Sequence, residues 1–302
     1  MPDDVPRLPW TDEQWAALQR IVQDAAAKAR VASSFLPLVG PLAPGQASVP
    51  ELVMFEYEFA AETYRPAIDD APTVPLVTAE CLVYLTTQQV EDPELSSAKQ
   101  LLGRAADVVG RLEDLVVFNG ENPEPALAGN KFYSLHIAAG SHRRGLLNWG
   151  GASELSVEEK EPAPTEADPH PIPTGEHLVA AVVGAINEIE EHGHYGPFAC
   201  VLGRDLYQAA NTPNASLVLP SDRITSFLDG GPLRRSSVLP DDRGVVIGLA
   251  GAPVDLVVAS DVHVKFLQLT LEPRYVLRVS ERFVLRVKQP KAICTLKAYA
   301  KK

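Results

Sequence analysis

Two stretches of sequence decide the fold: GHYGPFACVL, residues 193–202 in mid-chain, and PKAICTL, residues 290–296 near the end. The first joins a tight Gly and Pro turn to an apolar run that is short enough for one buried strand. The second has the pattern of the exit from a final strand. Neither stretch has the residue types or spacing of a catalytic motif, so both indicate architecture and not chemistry.

The rest of the chain predicts a mixed α+β order. Thr11 supplies an N-cap, followed by an acidic first turn, for an amphipathic helix. Residues 95–118 have the clearest helical periodicity, and that helix is predicted to end at Gly120. Further helices are predicted over 175–192, 206–210 and 221–228. Short strands are predicted over 198–202, 245–247, 254–258, 262–267, 275–279 and 283–287.

An extended arm is predicted between the first helix and the long one. Residues 37–75 contain seven prolines, and within them apolar and polar residues alternate over Val53–Phe59. This pattern predicts a long hairpin. Because such an arm cannot bury its own apolar face, we expect Phe55, Tyr57 and Phe59 to contact a neighbouring subunit.

Composition limits the function classes. A chain of 302 residues with 46% hydrophobic content can bury one large core or two modest ones. A net charge of -12 with scattered Lys and Arg argues against a nucleic-acid coat. Cys81, Cys200 and Cys294 are far apart and lack C-x-x-C spacing, which favours a reduced, cytoplasmic protein. The amino terminus has neither a basic n-region nor an apolar h-region, so export is not expected.

Catalytic and ligand-binding motifs are weak. The sequence has no G-x-S-x-G elbow, phosphate-binding P-loop, H-E-x-x-H helix or dinucleotide fingerprint. His192 and His194 could share a cation, but a helix-capping role is favoured for this pair. Cys200 lies in an apolar run and is expected to be an inert core thiol. No catalytic residue, metal site or cofactor is therefore predicted, and an enzyme is not expected.

The two opening stretches together resemble the encapsulins, the shell proteins of bacterial and archaeal nanocompartments. Further segments resemble that family in the same order: WAALQRI (15–21), VGPLAPG (39–45), EDLVVFNG (113–120), RGLLN (144–148), DLVVASD (255–261) and ERFVLRV (281–287). The chain departs from the family at 259–260, where Ala-Ser replaces the usual Gly-Gln.

The resemblance implies the α+β fold of the tailed-phage major capsid proteins (HK97-type), with a P-domain, an A-domain and an extended E-loop. The family organisation gives an N-terminal helix and arm at 1–43, an E-loop at 44–79, a first P-domain part with the spine helix at 80–150, an A-domain at 151–264, and a second P-domain part with a C-terminal tail at 265–302.

The resemblance also implies a self-assembling icosahedral shell that encloses cargo enzymes, with ferritin-like iron-storage proteins or peroxidases as the expected cargo. The expected partners are further copies of the chain and a cargo protein bearing a short C-terminal docking peptide, with no nucleic acid or membrane. The implied docking residues are Trp15, Leu18, Ile21, Val22, Ala25, Phe283 and Leu285. The implied five-fold pore loop is Asn211, Thr212, Pro213, Asn214, Ala215 and Ser216.

Three further expectations remain open at this point. Some family members bind a flavin through an aromatic residue near the start of the P-domain; the nearest one here is Tyr84, no Trp matches, and no flavin is predicted. The first helix lies far from the P-domain in sequence, so we expect the spine helix to fold without it. The alternative functions are a viral major capsid protein of the same fold and a soluble enzyme that uses Cys200 with a His.

Overall fold

A computed structural model describes residues 8–60, 63–120, 133–136, 144–149, 152–157, 175–213 and 218–298, with only the backbone described at 56–60, 63–64 and 133–136. The helices are α1 (Asp12–Ala29), α2 (Thr87–Val90), α3 (Ser96–Asn119), α4 (Gly175–Glu191), α5 (Arg204–Ala210) and α6 (Pro220–Phe227). The strands are β1 (Leu38–Val39), β2 (Ser48–Pro50), β3 (Val53–Ala60), β4 (Thr63–Asp69), β5 (Thr73–Pro75), β6 (Val77–Thr86), β7 (Tyr133–His136), β8 (Ser153–Val157), β9 (Phe198–Leu202), β10 (Leu233–Arg235), β11 (Arg243–Gly248), β12 (Val254–Leu269), β13 (Arg274–Val287) and β14 (Ile293–Ala298).

The first sheet has the strand order β1-β12-β13-β6-β7 and packs against the long helix α3. Along β6 every second residue from Val77 to Leu85 is buried, as expected for a strand with one covered face. Strand β6 is absent from the sequence-based prediction, because its Ala and Cys residues weaken the apolar alternation. Strands β12 and β13 are each continuous, although two short strands were predicted in each place; β12 is irregular between Val258 and His263.

Helices α1 and α3 pack against each other in the main hydrophobic core. The predicted start of α1 is confirmed: Thr11 Oγ1 accepts from Gln14 N, and the Gln14 side chain accepts from Thr11 N. The predicted end of α3 is also confirmed, since Gly120 follows it with φ 79°. The two helices approach closely at Gly110, where a Cβ would lie 3.0 Å from the carbonyl oxygen of Ala26. This close packing argues against the expectation that α3 folds without α1, which stays a prediction to be tested.

The second sheet has the order β10-β9-β11-β14-β8 and forms a separate core with α4, α5 and α6. Strand β9, the apolar part of the first opening stretch, is buried at all five positions, and β14 begins within the second stretch. The expected domain boundary between residues 264 and 265 does not coincide with the division of the chain between the two sheets. That boundary falls inside β12 of the first sheet, whereas β14, expected in the P-domain, lies between β11 and β8 in the second.

The predicted extended hairpin is confirmed as the antiparallel pair β3 and β4, in register from Val53↔Asp69 to Ala60↔Thr63. Among the described residues these two strands form a sheet by themselves. Strands β2 and β5 pair beside its base and pack, through Val49, in a small core with Leu76, Val257 and Val284. These contacts hold the hairpin at its base.

The packing of α1 gives a first prediction. Leu18 is fully buried between α1 and the main core, so Leu18→Ala should lower the free energy of unfolding by about 2–5 kcal/mol. Leu101→Ala is the matched control, because Leu101 is 40% exposed on α3 and should cost about 1 kcal/mol or less. Urea denaturation of both variants measures the difference. Equal losses would show that α1 is not part of the folding core.

Candidate assembly and docking surfaces

The β3–β4 hairpin carries apolar side chains that are about half exposed in the protomer. Phe55 is 45% exposed and Ile68 is 54% exposed. Tyr57 and Phe59 lie in β3, but their side chains are outside the described residues. An isolated two-stranded ribbon is marginally stable in water, and exposed apolar groups on it favour contact with another surface.

A buried ion-pair group fixes the base of this hairpin. The guanidinium of Arg286 makes two hydrogen bonds to the Asp255 carboxylate, at 2.9 and 2.7 Å, and Lys288 Nζ lies 3.1 Å from the same carboxylate. Met54 N donates to the Lys288 carbonyl at 3.0 Å. Arg286 Nη1 also donates to the Pro50 carbonyl at 3.4 Å, so the ion-pair group and the start of the hairpin are joined by hydrogen bonds.

The expected docking residues on α1 are divided between core and surface. Leu18 and Val22 are buried in the same large core as Phe283 and Leu285. Trp15, Ile21 and Ala25 are only partly buried. Trp15 packs edge-on against Trp10, with ring centroids 5.0 Å apart, and Trp10 Nε1 donates to the Val90 carbonyl at 2.9 Å. The partly exposed residues are the ones that a peptide can reach.

The expected pore loop begins at the end of α5. Asn211, Thr212 and Pro213 are exposed, whereas Asn214, Ala215 and Ser216 lie outside the described residues. Asn211 Nδ2 donates to the Tyr207 carbonyl and Thr212 Oγ1 donates to the Gln208 carbonyl, both at 2.8 Å. These bonds satisfy carbonyls at the helix end and leave an uncharged start to the loop.

The Cys and His candidates have little chemical reactivity in this fold. Cys200 is fully buried in the centre of β9, and burial raises the pKa of its thiol to about 12. His192 Nδ1 lies 2.8 Å from the Glu188 carbonyl, the geometry expected of a residue that caps the end of α4. Over the residues that the structure describes, no group of three or more His, Cys, Asp or Glu side chains is arranged to hold a metal ion. No helix among them is long and apolar enough to span a membrane.

Sequence reasoning missed a buried charge cluster that joins three elements. Arg30, at the end of α1, lies 3.1 Å from Glu113 of α3 and 2.7 Å from Glu281 of β13. Both glutamates are fully buried, and Arg30 also pairs with the more exposed Asp261 of β12 at 3.2 Å. The available signal was the presence of Glu113 and Glu281 within apolar stretches, where charged residues occur only when they are paired.

Charge balance in this cluster requires a proton. Burial raises the pKa of Glu113, and burial together with the Glu113 charge raises the pKa of Glu281 well above its usual range. One guanidinium cannot neutralise two buried carboxylates. The two glutamates therefore keep one proton between them at pH values where exposed glutamates are ionised. Asp114, the next residue, accepts from Val31 N and Ala32 N at 2.8 Å each, while burial raises its pKa to about 7.

Comparison with solved structures defines the class of protein. The virus-like particle from Pyrococcus furiosus matches with a TM-score of 0.65 at 16% sequence identity, over 94% of this chain and 100% of that chain. The capsid of Myoviridae phage XM1 matches with a TM-score of 0.58 at 13% identity, over 87% of this chain and 90% of that chain. The protein therefore has the α+β fold of the tailed-phage major capsid proteins, as predicted.

Sequence comparison then indicates the particular family. A family model described as encapsulating protein for peroxidase matches residues 159–284. The type 1 encapsulin shell protein EncA of Myxococcus xanthus is 25% identical over 95% of this chain and 93% of its own length. The diheme-cytochrome-encapsulin shell fusion protein of Kuenenia stuttgartiensis is 27% identical over 94% of this chain and 72% of its own length. The resemblance to the encapsulin shell proteins is confirmed.

The buried cluster predicts a dependence of stability on pH. Because the pKa of Glu281 is higher in the folded state than in the unfolded chain, the folded state binds the extra proton, and stability falls as pH rises from about 5 towards the raised value. Glu281→Gln cannot ionise, so stability should fall less steeply with pH in the variant than in the wild type, by up to about 1.4 kcal/mol per pH unit for one proton. The raised pKa of Asp114, about 7, leaves a smaller decline in both proteins. Chemical denaturation at several pH values measures both slopes.

Asp261→Asn is the control for this experiment. Its carboxylate pairs with the same Arg30 but is 59% exposed, so its removal should leave the decline in place. Parallel pH profiles for the wild type and Glu281→Gln would show that the glutamate pair does not share a proton.

Proposed function

We propose that the chain is the protomer of a closed icosahedral shell, an encapsulin nanocompartment in the cytoplasm, that encloses cargo enzymes and admits small substrates through pores. Its capsid fold and its similarity to encapsulin shell proteins over nearly the whole chain support this function. The shell is a structural protein, and the enclosed cargo enzymes carry out the catalysis.

One structural observation carries the proposal: the β3–β4 hairpin projects as a two-stranded ribbon with Phe55 and Ile68 exposed. Within one protomer this ribbon has no third strand among the described residues. In a shell, neighbouring protomers would cover the apolar side chains and remove their unfavourable hydration. The hairpin is therefore the proposed intersubunit contact, and Tyr57 and Phe59 are assigned to the same contact from the sequence.

A test of assembly follows from this contact. Purified wild-type protein should form closed particles of megadalton mass, whereas Phe55→Asp should remain as small species, because a carboxylate in an apolar contact loses its hydration. Phe55→Leu is the matched control and should assemble. Size-exclusion chromatography with light scattering gives the mass, and circular dichroism checks the fold. Normal particles from Phe55→Asp would show that the hairpin is not at the intersubunit interface. A small wild-type oligomer would contradict the shell function.

The proposed cargo partner carries a short C-terminal peptide that docks beside α1. A peroxidase is supported by the description of the matching family model, and a ferritin-like iron-storage protein by the resemblance of residues 290–296 to shells of that type. The docking surface consists of the partly exposed Trp15, Ile21 and Ala25, supported from beneath by buried residues of the same helix. An apolar helix face of this kind suits a short apolar peptide.

Cargo loading tests the docking surface. Trp15→Ala or Ile21→Ala should weaken peptide affinity by about 1–3 kcal/mol, and co-expressed cargo should no longer copurify with the shell. Val108→Ala is a control for loss of apolar area, since Val108 is also partly buried against the core but lies on α3. Full cargo occupancy in closed Trp15→Ala and Ile21→Ala shells would place the docking site elsewhere.

The proposed five-fold pore is lined by Asn211–Ser216, a segment without charged residues. Such a pore would discriminate by size more than by charge. Of the alternative functions, the viral capsid protein is less favoured because the similarity to encapsulin shell proteins extends over most of the chain. The soluble enzyme is less favoured because the Cys200 thiol is buried and its pKa is raised.

A further inference from the structure

A basic cleft lies on the face of the first sheet that is turned away from α3. Its basic side chains are His263 and Lys265 of β12 and Arg278 and Arg282 of β13, and the turn at 42–45 forms one wall. Arg278, Ser280 and Arg282 occupy every second position of β13. The intervening Val279 is buried in the main core with residues of α3. Since side chains alternate between the two faces of a strand, these three residues project into one cleft, whose volume is about 570 Å³.

Two positive charges meet across the strands in this cleft. Lys265 of β12 is paired directly with Arg278 of β13 in the antiparallel register. Like charges at directly opposed positions destabilise a sheet. Glu80, on the neighbouring strand β6, lies 3.5 Å from Arg278 Nη1 and neutralises one of the two charges. Lys265 is exposed and forms no ion pair within the described part of the chain, so an anion placed between the two groups would relieve their repulsion.

The two arginines of the cleft retain hydrogen-bonding capacity. Arg278 Nε is buried and has no hydrogen-bond partner among the described residues. Arg282 Nη2 donates to the Gln46 carbonyl at 2.9 Å, a neutral acceptor that holds the side chain in place and leaves its charge uncompensated. A guanidinium offers two parallel N–H groups whose spacing fits two oxygens of one phosphoryl group. The residue types therefore favour a phosphoryl oxyanion as the ligand.

The charge and the length of the cleft indicate a ligand with more than one phosphoryl group. The cleft has three permanently charged basic side chains and one neighbouring carboxylate, Glu80, so two positive charges are left on this face. Because Arg278 and Arg282 are four residues apart on an extended strand, their Cα atoms are separated by about 13 Å. A diphosphate can contact both guanidinium groups at once, whereas a single phosphate is expected to contact one.

We propose that this cleft binds a small anionic ligand that carries a diphosphate group. One phosphoryl group contacts Lys265 and Arg278, and the other contacts Arg282. Ser280, which lies between the two arginines along β13 and lines the same cleft, donates its hydroxyl to a phosphoryl oxygen. The cleft is formed within one protomer, so the proposal goes beyond the shell function and does not depend on it.

Isothermal titration calorimetry with inorganic pyrophosphate tests the site. At low salt the purified protein should bind one pyrophosphate per protomer, at least about tenfold more tightly than inorganic phosphate, because the second phosphoryl group adds a charged contact. Lys265→Gln and Arg282→Gln should each weaken pyrophosphate binding by about tenfold. Arg235→Gln is the matched control, because Arg235 is exposed on the second sheet and loses the same charge. This variant should bind as the wild type does.

Urea denaturation with and without pyrophosphate gives a second readout and checks that each variant folds. The ligand should raise the denaturation midpoint of the wild type and of Arg235→Gln more than that of Lys265→Gln. Titration with ADP separates the two sources of a diphosphate: tighter binding than pyrophosphate indicates a nucleoside diphosphate and weaker binding an inorganic one, and either result supports the site. No binding of pyrophosphate by the wild type, or equal weakening in Arg235→Gln and Lys265→Gln, would overturn the proposal.

Discussion

The contact of Arg30 with Glu113 and Glu281 is the constraint on which the rest of the protomer depends. It joins the end of α1, the last turns of α3 and the middle of β13, which are distant in sequence. Removal of Arg30 would leave two buried carboxylates facing each other, a cost of several kcal/mol. The cluster therefore requires α1 to lie on α3 in one position, and the surface that α1 presents follows from it.

The same sheet also holds the base of the hairpin. Arg286 and Lys288 of the β13 segment neutralise Asp255 of β12, and Met54 at the start of the hairpin bonds to the Lys288 carbonyl. A two-stranded ribbon is marginally stable by itself in water. We therefore propose that a neighbouring protomer covers the exposed apolar side chains of this hairpin in the assembled shell.

Much of this architecture could be predicted from local pattern. The capping box at Thr11, the periodicity of α3 and the alternation in β3 predicted elements that the structure confirms. The prediction of two short strands in place of each of β12 and β13 was wrong. Buried polar residues such as Glu281 interrupt the apolar pattern, and the partners of these residues are distant in sequence. The close packing of α1 on α3 could not be foreseen either, because the contacts at Gly110 and Arg30 join residues that are distant in sequence. The contact residues on the hairpin were predicted from its apolar alternation and the pore-loop residues from family resemblance, and both sets remain predictions.

The most direct test of the shell assignment is a cryo-electron microscopy reconstruction of the purified wild-type protein. We expect a closed icosahedral particle in which the β3–β4 hairpin of each protomer lies against a neighbouring protomer and Phe55 is covered there. A small oligomer with the hairpin exposed to solvent would contradict it.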